Sequence, residues 1–147
     1  MFKHILIPTD GSDLSRRAIA GGVELAKAVG ARVTVLFAAP TATPIVYRHF
    51  LPVGYMTPDK HAKLIKRTAE QYLEAAAREA KKASVPCETL SVTNDFPADA
   101  ILKTARKRKC DLIYMASHGR RGVSAVLLGS ETQKVLAHAD VPVLVHR

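Results

Sequence analysis

The chain has 147 residues, of which 48% are hydrophobic and 24% charged, a globular balance that supplies a core and argues against disorder. Its formal charge is +9, from 22 Lys and Arg against 13 Asp and Glu, a balance that attracts anionic ligands or nucleic acid. No apolar run approaches the roughly 20 residues needed to span a bilayer, and Met1-Phe2-Lys3-His4 lacks a signal peptide's apolar core.

The first element is Ile5-Leu6-Ile7-Pro8, a short, continuously apolar run that predicts a buried strand ending in a turn at Thr9-Asp10-Gly11-Ser12. From Ser12 to Val29 an apolar stripe at Ile19, Gly22, Val23 and Ala26 predicts a helix, which Gly30 stops. Val33 to Ala39 reads as a second buried strand. Residues 40–57 carry Pro40, Pro44 and Pro52 without a clear period, a long loop of the kind that covers a site. Thr57-Pro58-Asp59 then opens a long helix with Thr57 as cap, an inner stripe at Ile65, Ala69, Tyr72, Ala76 and Ala80, and an end at Pro86. Cys87 to Thr93 alternates like an edge strand, and Pro97 to Lys107 forms a helix with Ala98, Ile101, Leu102 and Ala105 inward. Asp111 to Ala116 is a third apolar strand. Ser130 to Ala139 is a last helix, and Val141 to Val145 a last strand.

Strands and helices thus alternate throughout, which predicts one α/β domain over residues 1–147, a parallel sheet covered on both faces by right-handed crossovers. The three continuously apolar strands belong at its centre. Ligands of such sheets bind beyond the carboxyl ends of the strands, where the winding reverses, so the turns at Pro8–Ser12, Ala38–Pro40 and Ser117–Ser130 are the places to search.

The third of these reads M-A-S-H-G-R-R-G-V-S-A-V-L-L-G-S-E-T, Met115 to Thr132. Neither G-x-G-x-x-G nor G-x-x-x-x-G-K-[ST] is present, so a dinucleotide fold and a P-loop lose their main support. Anion binding needs neither. Gly119 follows a strand and lets backbone N–H approach an oxyanion, and Ser130-Glu131-Thr132 opens a helix whose first N–H groups have no internal partner. Each residue also has a structural use. Asp10 fits a turn or a cap of the first helix, and Ser130-x-x-Gln133 matches a capping box. Glu131 suits the helix dipole and repels phosphate unless its side chain turns away. His118 reads as a loop residue or a donor, and Arg120 and Arg121 as a basic loop tip.

Taken together, Ile5-Leu6-Ile7-Pro8-Thr9-Asp10-Gly11-Ser12, the M-A-S-H-G segment, Leu127-Leu128-Gly129-Ser130 and Val141-Pro142-Val143-Leu144-Val145 resemble the universal stress protein family over essentially the whole chain. Its ATP-binding branch carries a Gly, two residues, a second Gly, nine residues, then Gly and Ser or Thr. Here the second and third glycines fall on Gly119 and Gly129, Ser130 follows, and Ala116 stands where the first glycine belongs. Gly122 lies inside the nine-residue loop. Ala at a strand end with ordinary φ carries no strain, so the departure reads as mild.

The resemblance implies a three-layer α/β/α fold with a five-stranded, mostly parallel sheet of order 3-2-1-4-5, Rossmann-like and similar to the adenine nucleotide alpha hydrolases. It implies that Pro8, Thr9 and Asp10 line the base and ribose, with Asp10 accepting a ribose hydroxyl. Ala38 would meet the adenine, Met115 and Ala116 would flank the ribose, and Gly119, Arg120, Gly129, Ser130, Glu131 and Thr132 would surround the phosphates, with His118 nearby. The implied ligand is ATP, ADP or AMP, with any Mg²⁺ brought by the phosphates rather than by protein ligands. The implied assembly is a homodimer through Val141–Val145, and a stress-response role enters by the same route.

No nucleophile, base and carboxylate fall into a catalytic pattern, so a binding protein is expected, with slow ATP hydrolysis or a nucleotide-free interaction protein as alternatives. Much of the basic excess, Lys60, Lys63, Lys66, Arg67, Lys103 and Arg106–Lys109, lies on helices, and few aromatics are available to stack on bases. Nucleic acid and membrane are therefore not the expected partners. Cys87 and Cys110 fit no metal spacing and read as core thiols, which suits a cytoplasmic location.

Overall fold

The computed structural model describes residues 1–41, 57–120 and 127–147; residues 42–56 of the expected covering loop, and Arg121 and Gly122, lie outside the described residues. The elements are β1 (His4–Pro8), α1 (Asp13–Val29), β2 (Arg32–Ala39), α2 (Pro58–Lys82), β3 (Cys87–Thr93), α3 (Pro97–Arg108), β4 (Leu112–Ala116), α4 (Ser130–His138) and β5 (Val143–His146). The five strands form one sheet in the order β3-β2-β1-β4-β5, with every neighbouring pair parallel. The expected "mostly parallel" is thus all parallel among the described residues.

The central strands are the continuously apolar ones because both of their faces are covered. On one face Ile5, Ile7, Val33, Val35, Leu112 and Tyr114 pack against α1 and α2. On the other, Leu6, Leu36, Ile113 and Met115 pack against α3 and α4. At Gly22 an added Cβ would lie 2.6 Å from Ile7 Cδ1, so a residue without a side chain lets α1 press on the sheet. Gly30 ends α1 at φ 70°, the left-handed conformation glycine adopts without cost.

At the amino end of the sheet the chain is tied shut. Asp111 is not part of β4 as expected; its carboxylate accepts from the backbone amides of Lys3 (2.8 Å) and His4 (3.0 Å), while its own amide donates to the His4 carbonyl (2.9 Å). This clasp starts β1 at His4, one residue early, and β4 at Leu112, one residue late. Arg32 N–H donates to Lys3 O, and Val33 N–H to Pro86 O. His4 is buried, with Nε2 2.7 Å from Thr34 Oγ1 and no partner for Nδ1 among the described residues. Burial, reinforced by the charge of Arg32, holds its pKa below 6.5 against the opposing pull of the Arg108 carbonyl, Asp111 and Glu88.

The last strand is also shorter than Val141–Val145. Pro142 has no N–H to give a ladder, and its carbonyl instead accepts from Ile113 before pairing begins at Val143. From β1 the chain winds outward through β2 to β3; α3 then carries it back across to β4 and β5. The winding reverses between β1 and β4, and there the chain leaves the sheet in diverging loops.

Candidate functional site

Beyond the carboxyl ends of β1, β2 and β4 lies a cleft of about 650 Å³. That is within the size of small-molecule sites, roughly 300 to 1,000 Å³. The end of β1 contributes Pro8, Thr9 and Asp10, and the end of β2 contributes Ala38. The end of β4 and the chain after it contribute Met115, Ala116, His118, Gly119 and Arg120, and the start of α4 contributes Gly129, Ser130, Glu131 and Thr132. Every residue that the resemblance assigns to the nucleotide therefore borders one cavity.

Asp10 is not the cap of α1. That position belongs to Ser12, whose Oγ accepts from Ser15 N–H at 3.2 Å. Asp10 Oδ1 accepts from Ser12 N–H (2.9 Å), closing the turn, and Oδ2 accepts from the amide of Arg120 (2.8 Å) across the cleft. Burial works against the Asp10 charge, but the bonds from Ser12, Arg120 and Ser15 outweigh it and keep the carboxyl below its usual range. Thr9 is buried, its hydroxyl 3.1 Å from Ser15 Oγ and accepting from Gly11 N–H, so its side chain is spent on the turn.

The two motif glycines are required by contact rather than by backbone angle. A Cβ on Gly119 would stand 2.4 Å from Asp10 Oδ2. On Gly129 it would stand 3.0 Å from His118 Cα, although φ there is an ordinary −60°. Gly129 donates to the Ser117 carbonyl at 2.8 Å and is itself the N-cap of α4, with no side-chain cap bond. The capping box at Ser130 therefore does not form. The strand-to-helix tie at Ser117 puts the cap at Gly129, one residue before the expected capping residue; Gln133 Nε2 turns to the Leu128 carbonyl, and Ser130 stands at an exposed first-turn position. Ser130, Glu131 and Thr132 of the first turn of α4 line the cleft, and their N–H groups have no partner within their own helix.

Glu131, whose charge would repel a phosphate, turns away. Its Oε2 accepts from the Ala98 amide at 2.8 Å and its Oε1 pairs with Lys134 Nζ at 3.0 Å. It thereby caps α3, where Phe96 at the N-cap has no acceptor to offer. Thr132 is buried and donates to the Ala116 carbonyl at 3.1 Å, tying α4 to β4. Ala116 belongs to the core on the α1 and α2 face, so the methyl that replaces the motif glycine's hydrogen packs into protein. His118 Nδ1 lies 3.1 Å from Ser117 Oγ.

The cleft also has walls that the sequence pattern did not mark as site residues. Phe37 and Tyr72 meet edge to face with centroids 5.6 Å apart, and Asn94 and Asp95 close the side beyond β3. Asp95 is held by the amide (2.7 Å) and hydroxyl (2.8 Å) of Thr41, and Asn94 donates to Asp99 at 2.9 Å. The periodicity of α2 put Tyr72 on the inner stripe, which is correct, but nothing local says that its hydroxyl end reaches the cleft. No group of three or more His, Cys, Asp or Glu suited to a metal ion occurs among the described residues. No helix among them is long and apolar enough to cross a membrane.

Comparison with known proteins gives the site a context. A family model described as Universal stress protein family matches residues 1–147. A universal stress protein of Thermus aquaticus, encoded 3′ of a sulfhydrylase, is 36% identical over 148 residues, covering 100% of both chains. The solved structure of MJ0577 from Methanocaldococcus jannaschii superposes with a TM-score of 0.78 at 25% identity, covering 99% of this chain and 96% of that one. Two further solved structures share the fold at lower identity. A universal stress protein in complex with cAMP has a TM-score of 0.70 at 24% identity, covering 98% of this chain and 95% of that one. A family protein from Arabidopsis thaliana with AMP bound has a TM-score of 0.68 at 17% identity, covering 98% and 90%. With its turn, glycines and helix start gathered at the reversal of the sheet, and with the family match running from end to end, the chain belongs to the universal stress protein family.

Proposed function

We propose that the cleft binds an adenine nucleotide, ATP in the first instance, and that the protein works as a nucleotide-dependent regulatory or signalling dimer in a stress response. The observation that carries this reading is the first turn of α4 at Ser130–Thr132, which lines the cleft with amides that have no partner in their own helix, while its one acidic side chain is drawn off to α3. Phosphates would lie on Gly119, Arg120, Gly129 and Ser130, with the backbone of Glu131 and Thr132. The ribose would lie between Asp10 and Met115–Ala116, and the base against Pro8, Thr9 and Ala38. Any Mg²⁺ would come with the phosphates. Related folds that carry cAMP and AMP support adenine as the base.

The competing reading, an interaction protein without nucleotide, is favoured by one contact: the Asp10 carboxylate is already engaged by Arg120. A titration separates the two. Purified chain should bind ATP saturably at one site, and protein denatured from the producing cell should release adenine nucleotide. No binding and no released nucleotide, from protein that is folded, would overturn the proposal. Weak hydrolysis would be a property of the bound state, and turnover at about 1 s⁻¹ or faster would make it an enzyme instead.

The dimer would form through the Val141–Val145 segment. β5 is an edge strand, and Leu144 (38% exposed) and Leu136 (42%) lie uncovered on it and on α4. Light scattering should give about twice the 15.9 kDa chain mass at micromolar concentration; a monomer would refute the pairing. A cytoplasmic location accompanies this reading.

A further inference from the structure

The helix α2 is longer than the sheet it covers. Its 25 residues span about 37 Å, whereas β2, with 8 residues the longest strand, spans about 26 Å. Its carboxyl-terminal end lies at the sealed pole, where the Pro86 carbonyl accepts from Val33, so the excess length stands at the other pole. Thr68 and Tyr72 line the cleft, and the first buried residue of the helix is Ala69. Residues 58–67 therefore form an arm beside the cleft, with Arg67 next to Thr68 in the chain and Lys60 about 12 Å of axial rise away.

The charge of the arm works against its own helix. Lys60, Lys63, Lys66 and Arg67 are all exposed, and Asp59 is the one acid among residues 58–67. Lys60 opposes the dipole in the first turn, and like charges three or four residues apart repel. No ion pair relieves the four among the described residues, and residues 42–56 and 121–126 contain no Asp or Glu to do so. Further along, where α2 packs on the sheet, Glu70, Glu74 and Glu79 restore a mixed surface. A merely solvated helix face needs no such separation.

The cleft needs positive charge from outside its own lining. Of the charged residues that line it, Asp10, Asp95 and Glu131 outnumber Arg120, and Lys134 offsets Glu131 alone. The Arg120 side chain is itself turned onto the Asp10 carbonyl (2.9 Å) and the Tyr72 hydroxyl. An approaching nucleotide thus meets a lining with no surplus of positive charge. The arm supplies one, most of it within a Debye length of the cleft wall, roughly 8 to 10 Å at ordinary ionic strength.

We infer that this arm is an electrostatic collector for polyanionic ligands, which speeds nucleoside polyphosphates into the cleft without touching them once bound. This inference rests on the adenine nucleotide reading of the cleft. It makes the cleft rank adenine ligands by charge, ATP first and adenosine last, through the rate at which they arrive.

Stopped-flow association of the full chain with ATP carrying a fluorophore on its γ-phosphate tests it, together with calorimetry of adenosine. A variant combining Lys60→Gln, Lys63→Gln, Lys66→Gln and Arg67→Gln should bind ATP about tenfold more slowly at low salt. Its dissociation rate should stay within about twofold of the parent's and its adenosine affinity should be unchanged. The difference should fade as salt is raised. Exchange in kind, Lys60→Arg, Lys63→Arg, Lys66→Arg and Arg67→Lys, should keep the parent rate. The urea midpoint of the Gln variant should equal or exceed the parent's, because charges that oppose the helix have been removed. Unchanged association, a loss lying wholly in dissociation, or a lowered urea midpoint would overturn the inference while ATP binding stands. Failure of the parent chain to bind ATP would overturn the nucleotide reading, and the collector with it.

Discussion

The two ends of the sheet are built from the same strands and behave oppositely. At the amino end the ties are short and close-fitting: Asp111 clasps the amides of Lys3 and His4, and backbone bonds from Arg32 and Val33 bridge neighbouring segments. At the carboxyl end the loops after β1 and β4 diverge, and the groups that join them, Asp10 and Arg120, reach across about 650 Å³ of open cleft. The polarity of the helices sharpens the contrast. Each crossover helix runs antiparallel to the strands, so α4 presents amide N–H groups to the cleft, whereas α1 and α3 end at the opposite pole in left-handed caps at Gly30 and Lys109. An α/β sheet thus has one end that closes on itself and one end left available for chemistry.

The comparison can be broken most severely at Gly129. Valine there would drive its side chain into the backbone of His118, 3.0 Å from the position of the added Cβ, and fill the space beside the helix start. ATP affinity should fall by roughly a hundredfold or more while the circular dichroism spectrum and oligomeric state stay unchanged. Parent-like binding would mean that the phosphate end has been assigned to the wrong place.

A change at the sealed end should do the reverse. Asp111→Ala leaves the Lys3 and His4 amides without their acceptor, and stability should drop by about 2 kcal/mol in a urea titration. ATP affinity should hold, because nothing at that end touches the cleft. A large loss of binding in this variant would dissolve the separation of the two ends.

The smallest effect concerns pH. Because the folded protein holds the His4 pKa below 6.5, the unfolded chain takes up this proton first, and stability attributable to His4 is lost as the pH falls below about 6.5. Above that value it is fully present. Urea midpoints measured across this range should show the loss in the parent and a flatter profile in His4→Gln. Identical profiles would mean that the buried imidazole does not govern the sealed end.

Much of this architecture was legible in the sequence because it is local. Continuous apolar runs marked β1, β2 and β4 as central, and Thr57-Pro58-Asp59 marked the start of α2, where Thr57 accepts from Lys60 N–H as a cap should. The candidate residues converged on one cleft because strand ends and family spacing both pointed there. What escaped was long-range. Tyr72 and Arg120 are 48 residues apart, and the helical period of α2 puts Tyr72 on the inner stripe without revealing what its hydroxyl will meet. Ser130 misled for a related reason: its capping-box pattern is intact in sequence and the helix does begin there, but a tertiary bond from Gly129 to Ser117 makes Gly129 the cap. Asp111 likewise reads as the first residue of a strand until the amides of β1 are found waiting for it.

The carboxylate of Glu131 has a further consequence. It belongs to α4 yet completes the first turn of α3, so the start of one helix is capped by a side chain of the other. The start of α3, where Pro97 and Ile101 also line the cleft, is thus held by the same turn of α4 that borders it.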